Sequence, residues 1–291
     1  MKIVIIGANG QIGNDLVETL TSDEIISLTH NDIDISDFSQ TGDILKKYRP
    51  DMVINTAAYH RVDHCEDAIE RTFEVNSYAV RNLAQICADM EIPLVHFSTD
   101  YVFGGEKESP YIEEDTPNPL SVYAVSKLTG EYFIRSICSK YYLIRTCGLY
   151  GVTGAAENAV TVNFVEIMVG LAKKKRPIRV VSDQIVTPTS AKELAIKVSQ
   201  LIRTERYGLY HITNNGECSW YEFTKAIFDL CGIKSELYPV RTSEYGAKAK
   251  RPLYSVLKNR NLKRLGLDDL RHWRDAMKEY LRVRGYVCGK P

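Results

Sequence analysis

The chain opens with a short apolar run, Lys2–Ile6, that leads directly into three glycines at positions 7, 10 and 13. A glycine turn between a first strand and a first helix lets backbone amides approach a pyrophosphate at the positive end of the helix dipole. The spacing is Gly-x-x-Gly-x-x-Gly, which differs from the tighter Gly-x-Gly-x-x-Gly of many dehydrogenases. Because the turn directly follows the first strand, it predicts a dinucleotide-binding unit at the start of the fold.

Short β-branched runs alternate with longer amphipathic stretches along the first half of the chain. The runs are apolar throughout and lie at residues 2–6, 25–28, 52–54, 94–97 and 142–144. Between them, apolar residues recur at helical spacing over 11–20, 44–48 and 68–90. Such alternation, with strands that are apolar on both faces, predicts an α/β fold with a Rossmann-like, doubly wound parallel sheet covered by helices.

The pattern changes after residue 150. We predict a Rossmann domain over 1–150 and a smaller mixed α/β substrate-binding domain over 151–291, with roughly 176–204 folding back onto the parallel sheet. Residues 189–193 and 219–222 both resemble capping boxes that open helices, and Trp220 is predicted to be a packing or interface residue. The crevice between the two domains is the expected site.

Charge and composition exclude several classes of partner. Lys plus Arg and Asp plus Glu number 37 each, so no net field would draw the protein to nucleic acid or to an anionic membrane. We see no signal-peptide hydrophobic region and no apolar stretch near the length needed to span a bilayer, so we expect a cytoplasmic protein. The seven cysteines form no Cys-x-x-Cys pair, and no metal site is predicted.

A tyrosine and a lysine four residues apart carry the predicted chemistry. Four such spacings occur, beginning at Tyr123, Tyr221, Tyr254 and Tyr286, but only the first follows a predicted strand that ends in Ser98-Thr99. On a helix Tyr123 and Lys127 share a face, so the ammonium is expected to lower the phenol pKa and help the phenol protonate an alkoxide. Thr99 is expected to donate a second hydrogen bond to the same oxygen, which predicts hydride transfer to a carbonyl.

Motifs along nearly the whole chain resemble those of the extended short-chain dehydrogenases/reductases, and within them the dTDP-4-dehydrorhamnose reductase family. In chain order they read GANGQIG, DIDISD, NTAAYHRVD, VN at Asn76, STDYVFGG, YAVSK, RTCGLYG, DQIVTPT, GLYHITNNG and KRP before Ser255. STDYVF and the segment from DQ to PT are more specific than the motifs shared by the superfamily.

The resemblance implies roles for the residues at matching positions. Thr99, Tyr123 and Lys127 would be catalytic. The residues that would line the cofactor are Gly7, Gly10, Gln11, Ile12, Asp34, Ile35, Ala57, Ala58, Tyr59, Asn76, Tyr123 and Lys127. The residues that would orient the sugar or shape its wall are Asp100, Tyr101, Val102 and Phe103. Members of the family often carry a tryptophan within the segment 146–150, which closes over the sugar ring, whereas this chain has Gly148 and Leu149 there.

By the same resemblance, the expected reaction is NAD(P)H-dependent reduction of the C4 ketone of a nucleotide-activated 4-keto-6-deoxy sugar, with dTDP-4-dehydro-L-rhamnose as the expected substrate. Reduction or epimerisation of another nucleotide sugar is one alternative, and a non-catalytic subunit that senses a dinucleotide is another. Thr29-His30-Asn31 stand where an acidic residue usually holds the ribose of NAD, which leaves the choice between NADPH and NADH open. A homodimer is a further hypothesis, because the sequence does not determine the oligomeric state.

Overall fold

The computed structural model describes residues 1–152 and 163–287. The strands of this part of the chain are β1 (Lys2–Ile6), β2 (Glu24–Leu28), β3 (Met52–Asn55), β4 (Leu94–Thr99), β5 (Tyr141–Thr146), β6 (Leu149–Tyr150), β7 (Ile178–Val181), β8 (Ile185–Val186), β9 (Thr189–Ser190), β10 (Gly208–His211), β11 (Cys218–Ser219) and β12 (Leu237–Val240). The helices are α1 (Gln11–Thr19), α2 (Phe38–Tyr48), α3 (Val62–Cys65), α4 (Ile69–Phe73), α5 (Ala79–Asp89), α6 (Val122–Ile137), α7 (Phe164–Lys173), α8 (Ala191–Leu201), α9 (Trp220–Cys231), α10 (Thr242–Tyr245), α11 (Arg260–Arg264) and α12 (Trp273–Val283).

A parallel sheet forms the centre of the described structure, in the order β2-β1-β3-β4-β5-β10. Five of these strands lie where the sequence predicts them, which confirms the predicted fold class. The sixth, β10, was not predicted, because its first two residues are only half-buried and the run is short. The strand order reverses between β1 and β3, and ligands of doubly wound sheets bind outside the carboxyl ends of the strands at such a point.

Helices cover both faces of the sheet, because successive side chains of β1 point to opposite sides. Ile3 and Ile5 belong to one fully buried cluster with Leu16 of α1 and Leu194 and Val198 of α8. On the other face, Val4 and Ile6 pack with residues of α2, α5 and α6. Helix α8 therefore lies in the Rossmann layer although it comes late in the chain. The predicted division into two domains stays a prediction.

A second, smaller core lies between α7, α9 and α12. Phe223, Trp273 and Met277 are buried in it, and the strand pairs β7–β12, β8–β11 and β6–β9 border it. Helix α9 begins with the predicted capping box, in which Ser219 and Glu222 satisfy each other's backbone amides. The capping box predicted over 189–193 is wrong, because the Ser190 side chain makes no cap hydrogen bond and Glu193 instead binds Asn214 and Arg271.

The helix predicted over 68–90 is interrupted between α4 and α5 by a π-helical turn, Glu74–Tyr78. A π turn adds one residue to the helix and often marks a functional site. Asn76 lies in this turn and is buried; its amide accepts from the Tyr59 N–H at 2.8 Å and donates to the Tyr59 carbonyl at 2.9 Å. The turn therefore fixes the loop that follows β3.

Candidate active site

A cavity of about 730 Å³ opens at the carboxyl ends of β1, β3 and β4, where the strand order reverses. Most of the predicted site residues line it: Gly7, Gly10, Gln11, Ile12, Asp34, Ile35, Ala57, Ala58, Tyr59, Thr99, Asp100, Tyr101, Tyr123 and Lys127. The structure thus brings residues from all parts of the first 127 positions to one place. Asn76, Val102 and Phe103 are absent from this lining.

The glycine turn packs against the next loop so closely that side chains have no room. Gly7 has φ +79°, and a Cβ built on it would lie 2.5 Å from Thr56 Oγ1, whereas a Cβ on Gly13 would overlap the Gly7 carbonyl. Gly10 caps α1 without a side chain, so the first amides of the helix face the cavity without a side-chain partner at the cap. This end of the cavity therefore fits the pyrophosphate of a dinucleotide.

Beyond the glycine turn, the cavity continues past the end of β2 to Thr29 and His30. Asp32, the nearest acidic residue, is turned away, because its carboxylate accepts from the Thr29 amide and hydroxyl. Arg71 of α4 also lines this end, at 3.4 Å from Asp34 and 2.8 Å from the Ser36 hydroxyl. No arginine lies next to Thr29-His30-Asn31 in the sequence, and Arg71 was not predicted at this site because it comes from a helix far along the chain.

The predicted catalytic residues meet at the other end of the cavity. Helix α6 begins directly after Ser121, whose hydroxyl accepts from the Ala124 amide, so Tyr123 lies in the first helical turn and Lys127 in the next. Thr99 ends β4; its hydroxyl donates to Asp100 at 3.1 Å and accepts from the Tyr101 amide. All three side chains line the cavity, as proton transfer to a bound ketone requires.

Burial sets the proton affinities in this end of the cavity. Burial, and after it the Asp100 carboxylate, raises the pKa of Tyr123 above its ordinary value, while the contact with Thr99 lowers it. Burial lowers the pKa of Lys127 to about 8, and the Glu131 carboxylate acts in the opposite direction. The expected lowering of the phenol pKa by Lys127 is not seen here: burial is the largest influence on the pKa of Tyr123, and the carboxylate of Asp100 follows it. Burial also raises the pKa of Asp100.

A buried ion pair holds α6 against the sheet. Arg145 of β5 binds both oxygens of Glu131 on α6, with Nη2 at 2.6 Å from Oε2 and Nε at 2.9 Å from Oε1. Ser98 of β4 donates to the same carboxylate, and all three residues are buried. Ser98 therefore has a structural role: it binds α6 at Glu131, which lies one turn beyond Lys127.

Three predicted residues lie behind the cavity wall. Asn76 acts on Tyr59, as described above, and also donates to the Ser126 hydroxyl at 3.0 Å. Val102 and Phe103 are fully buried, and the Phe103 ring stacks on Tyr111 with centroids 4.1 Å apart. Contact of these three with cofactor or sugar stays a prediction.

Trp220 lines the cavity, although the sequence analysis placed it only in packing. It packs on Phe164 with ring centroids 4.5 Å apart, and its outer edge lies 3.5 Å from the place of a Cβ on Gly148. A Cβ at that distance would be in ordinary van der Waals contact, so the indole lies directly beside Gly148. Trp220 thus places an aromatic ring next to the segment 146–150, which has no tryptophan of its own.

Comparison with known proteins agrees with this geometry. The family model described as the RmlD substrate binding domain matches residues 1–284. The spore coat polysaccharide biosynthesis protein SpsK of Bacillus subtilis is 39% identical over 289 residues, which are 99% of each chain.

Solved structures show the same likeness. A dTDP-4-dehydrorhamnose reductase of Clostridium acetobutylicum is 39% identical, with a TM-score of 0.93 over 98% of this chain and 100% of that one. The dTDP-4-dehydrorhamnose reductase of Bacillus anthracis in complex with NADP is 36% identical, with a TM-score of 0.92 over 97% of this chain and 99% of that one. The chain therefore belongs to the RmlD substrate-binding family, among the extended short-chain dehydrogenases/reductases, as its motifs indicate.

Proposed function

We propose that the protein is an NAD(P)H-dependent reductase that converts the C4 ketone of a nucleotide-activated 4-keto-6-deoxy sugar to an alcohol, with dTDP-4-dehydro-L-rhamnose as substrate and dTDP-L-rhamnose as product. One observation carries the proposal: a dinucleotide-binding glycine turn and the side chains of Thr99, Tyr123 and Lys127 line one cavity. The reductase names of relatives with the same fold over nearly their whole length support it.

The residues of this chain divide the work along the cavity. The amides of the glycine turn and Arg71 hold the anionic groups of the dinucleotide, and a reduced nicotinamide supplies the hydride when bound. Asp100 and Tyr101 orient the sugar beside the ring of Tyr123, and Trp220 supplies a further aromatic ring to the cavity lining. Tyr123 gives its phenol proton to the alkoxide oxygen as it forms, and Thr99 donates a hydrogen bond to that oxygen.

The direct test is turnover of dTDP-4-keto-6-deoxyglucose in the presence of the partner epimerase. We expect the absorbance of the reduced nicotinamide to fall only when this protein and the epimerase are both present. Product analysis should then give dTDP-L-rhamnose. If the product is a different reduced or epimerised sugar, the substrate of the enzyme is another nucleotide sugar. Binding of NADPH without turnover on a panel of keto sugars would favour the non-catalytic dinucleotide sensor.

Cofactor choice depends on the end of the cavity near His30. Residues 29–31 carry no carboxylate, and the charge of Asp34 in the lining is balanced by Arg71 at 3.4 Å, so we expect both cofactors to be used with a modest preference for NADPH. His30→Asp should shift the ratio of kcat/KM values toward NADH by at least about tenfold, since the new carboxylate repels the phosphate and accepts from the ribose.

Asn31→Asp is the matched control, because it adds the same charge one residue outside the cavity lining. It should leave the ratio nearly unchanged. A strong preference for NADH in the unaltered protein, or equal shifts in both variants, would show that another residue reads the ribose.

The oligomeric state and the cellular compartment stay predictions, namely a homodimer in the cytoplasm. Along 1–152 and 163–287, every helix falls short of the length and apolar character needed to cross a membrane. Light scattering at micromolar concentration measures the mass directly, and a mass near one 33.0 kDa chain would contradict the dimer.

A further inference from the structure

A chain of hydrogen bonds runs beneath the active site from the loop after β3 to Lys127. The Ala57 amide donates to Asn55 Oδ1 at 3.0 Å, and Asn55 Nδ2 lies 3.2 Å from His96 Nδ1. His96 Nε2 lies 3.2 Å from Lys127 Nζ, which also donates to the Phe97 carbonyl at 2.7 Å. Asn55, His96 and Lys127 are each at most 2% exposed, so the partners within this chain decide where the protons lie.

The backbone fixes the direction of every bond in this chain. Because the Ala57 amide is a donor, the oxygen of the Asn55 side chain must face it, and the Asn55 NH₂ group must face His96. An amide NH₂ is only a donor, so His96 Nδ1 accepts. Burial, and after it the charge of Lys127, holds the pKa of His96 well below its ordinary value, so the imidazole is neutral. Its single N–H is therefore on Nε2 and points at Lys127.

This direction suits one protonation state of the lysine. A neutral amine can accept the His96 Nε2–H while it donates to the Phe97 carbonyl, whereas an ammonium has no lone pair to accept it. The charged and titratable groups around Lys127 are His96 on β4, Tyr123 and Glu131 on α6, and Asp100 after β4; Arg145 is paired with Glu131. Of these groups, His96 points an N–H at Lys127 Nζ, and this arrangement disfavours the ammonium form of the lysine.

We propose that Asn55 and His96 are positioning residues, which aim the His96 Nε2–H at Lys127 and so weaken the hold of the lysine on its proton. This inference rests on the proposed reductase function.

The proton affinity of Lys127 agrees with this inference. Burial lowers the pKa of Lys127 to about 8. An N–H group that points at the ammonium acts in the same direction.

The first test needs no substitution in the chain that is measured. Long-range ¹H–¹⁵N spectra of the full chain, with the His96 signals assigned by their loss in His96→Phe, report which ring nitrogen carries the proton. We expect the Nε2–H tautomer from pH 6 to pH 10. A proton on Nδ1 at any pH in that range would overturn the inference, whether or not the protein turns over a sugar, so this result is independent of the proposed function.

The second test uses an isosteric substitution to reverse the direction of the hydrogen bonds between Asn55, His96 and Lys127. In Asn55→Asp, both carboxylate oxygens accept, one from the Ala57 amide and one from His96, so the imidazole proton moves to Nδ1 and Nε2 accepts from the Lys127 ammonium. The pKa of Lys127, followed by its ¹³Cε resonance, should rise by about one pH unit or more. The basic limb of the pH profile of kcat should move upward equally.

The double variant Asn55→Asp/His96→Phe is the control for the added charge. It keeps the carboxylate but removes the imidazole through which it acts, so most of the shift should disappear. An equal shift in the double variant would mean that simple charge attraction explains the effect, and an unchanged Lys127 titration in Asn55→Asp would mean that the chain of bonds does not act. Either result overturns the inference.

Discussion

Replacing Tyr123 with phenylalanine should lower kcat by about 100- to 10,000-fold, the range that a general acid typically supplies. The phenol oxygen donates its proton to the alkoxide, so its loss should leave the dissociation constant of the nicotinamide cofactor within about threefold, which corresponds to about 0.6 kcal/mol. The raised pKa of Tyr123 keeps the phenol protonated over the usual assay range, so the loss should be similar from pH 6 to pH 9. Steady-state rates and fluorescence titration of NADPH measure the two quantities.

Tyr221→Phe is the matched control, because Tyr221 also has a lysine four residues later but lies outside the cavity lining. It should keep near-normal turnover. Wild-type rates in Tyr123→Phe, or an equal loss in Tyr221→Phe, would remove Tyr123 from the role of proton donor.

Glu131→Gln is expected to lower the free energy of unfolding substantially. The substitution preserves the shape of the side chain but leaves the buried Arg145 guanidinium without its counter-charge, which typically costs about 3–5 kcal/mol. The amide also places an N–H group where Arg145 needs an acceptor. For a chain of this length, we expect the Tm to fall by about 5–10 °C, measured by calorimetry at pH 7.5.

Glu70→Gln, at an exposed glutamate of α4, is the control and should leave the Tm nearly unchanged. Removing both charges at once, as Glu131→Leu/Arg145→Met, should recover most of the loss, since apolar pairs often replace buried ion pairs without cost. If Glu131→Gln melts at the wild-type temperature, the pair does not stabilise the packing of α6 on the sheet.

Strands β1 and β3 were predictable because nearly all of their residues are buried and most are apolar. Strand β2 was predictable from its short apolar run, although most of its residues are exposed or half-buried. The glycine turn was predictable because its conformation excludes side chains. Tyr123 was selected among four equal spacings because a strand ending in Ser98-Thr99 precedes it. Each of these signals is local in the sequence.

The features that the sequence did not predict depend on contacts between distant segments. Arg71 reaches the cavity because α4 lies beside the loop of Asp34, and no periodicity encodes that approach. The π-helical turn places Asn76 in hydrogen bonds with Tyr59, 17 residues earlier in the chain. Burial likewise has the largest influence on the pKa of Tyr123 and on that of Lys127, which spacing alone does not reveal.

The position of α8 and β10 in the central layer affects how the protein is made. During synthesis the first half emerges with the edge of β5 unpaired and the apolar side of α1 uncovered, and both wait for segments several dozen residues later. Such an intermediate exposes an unpaired strand edge and an apolar helix face, and both favour association with other chains. A nascent chain halted after β5 should therefore bind holding chaperones, and release should begin only once β10 has left the ribosome.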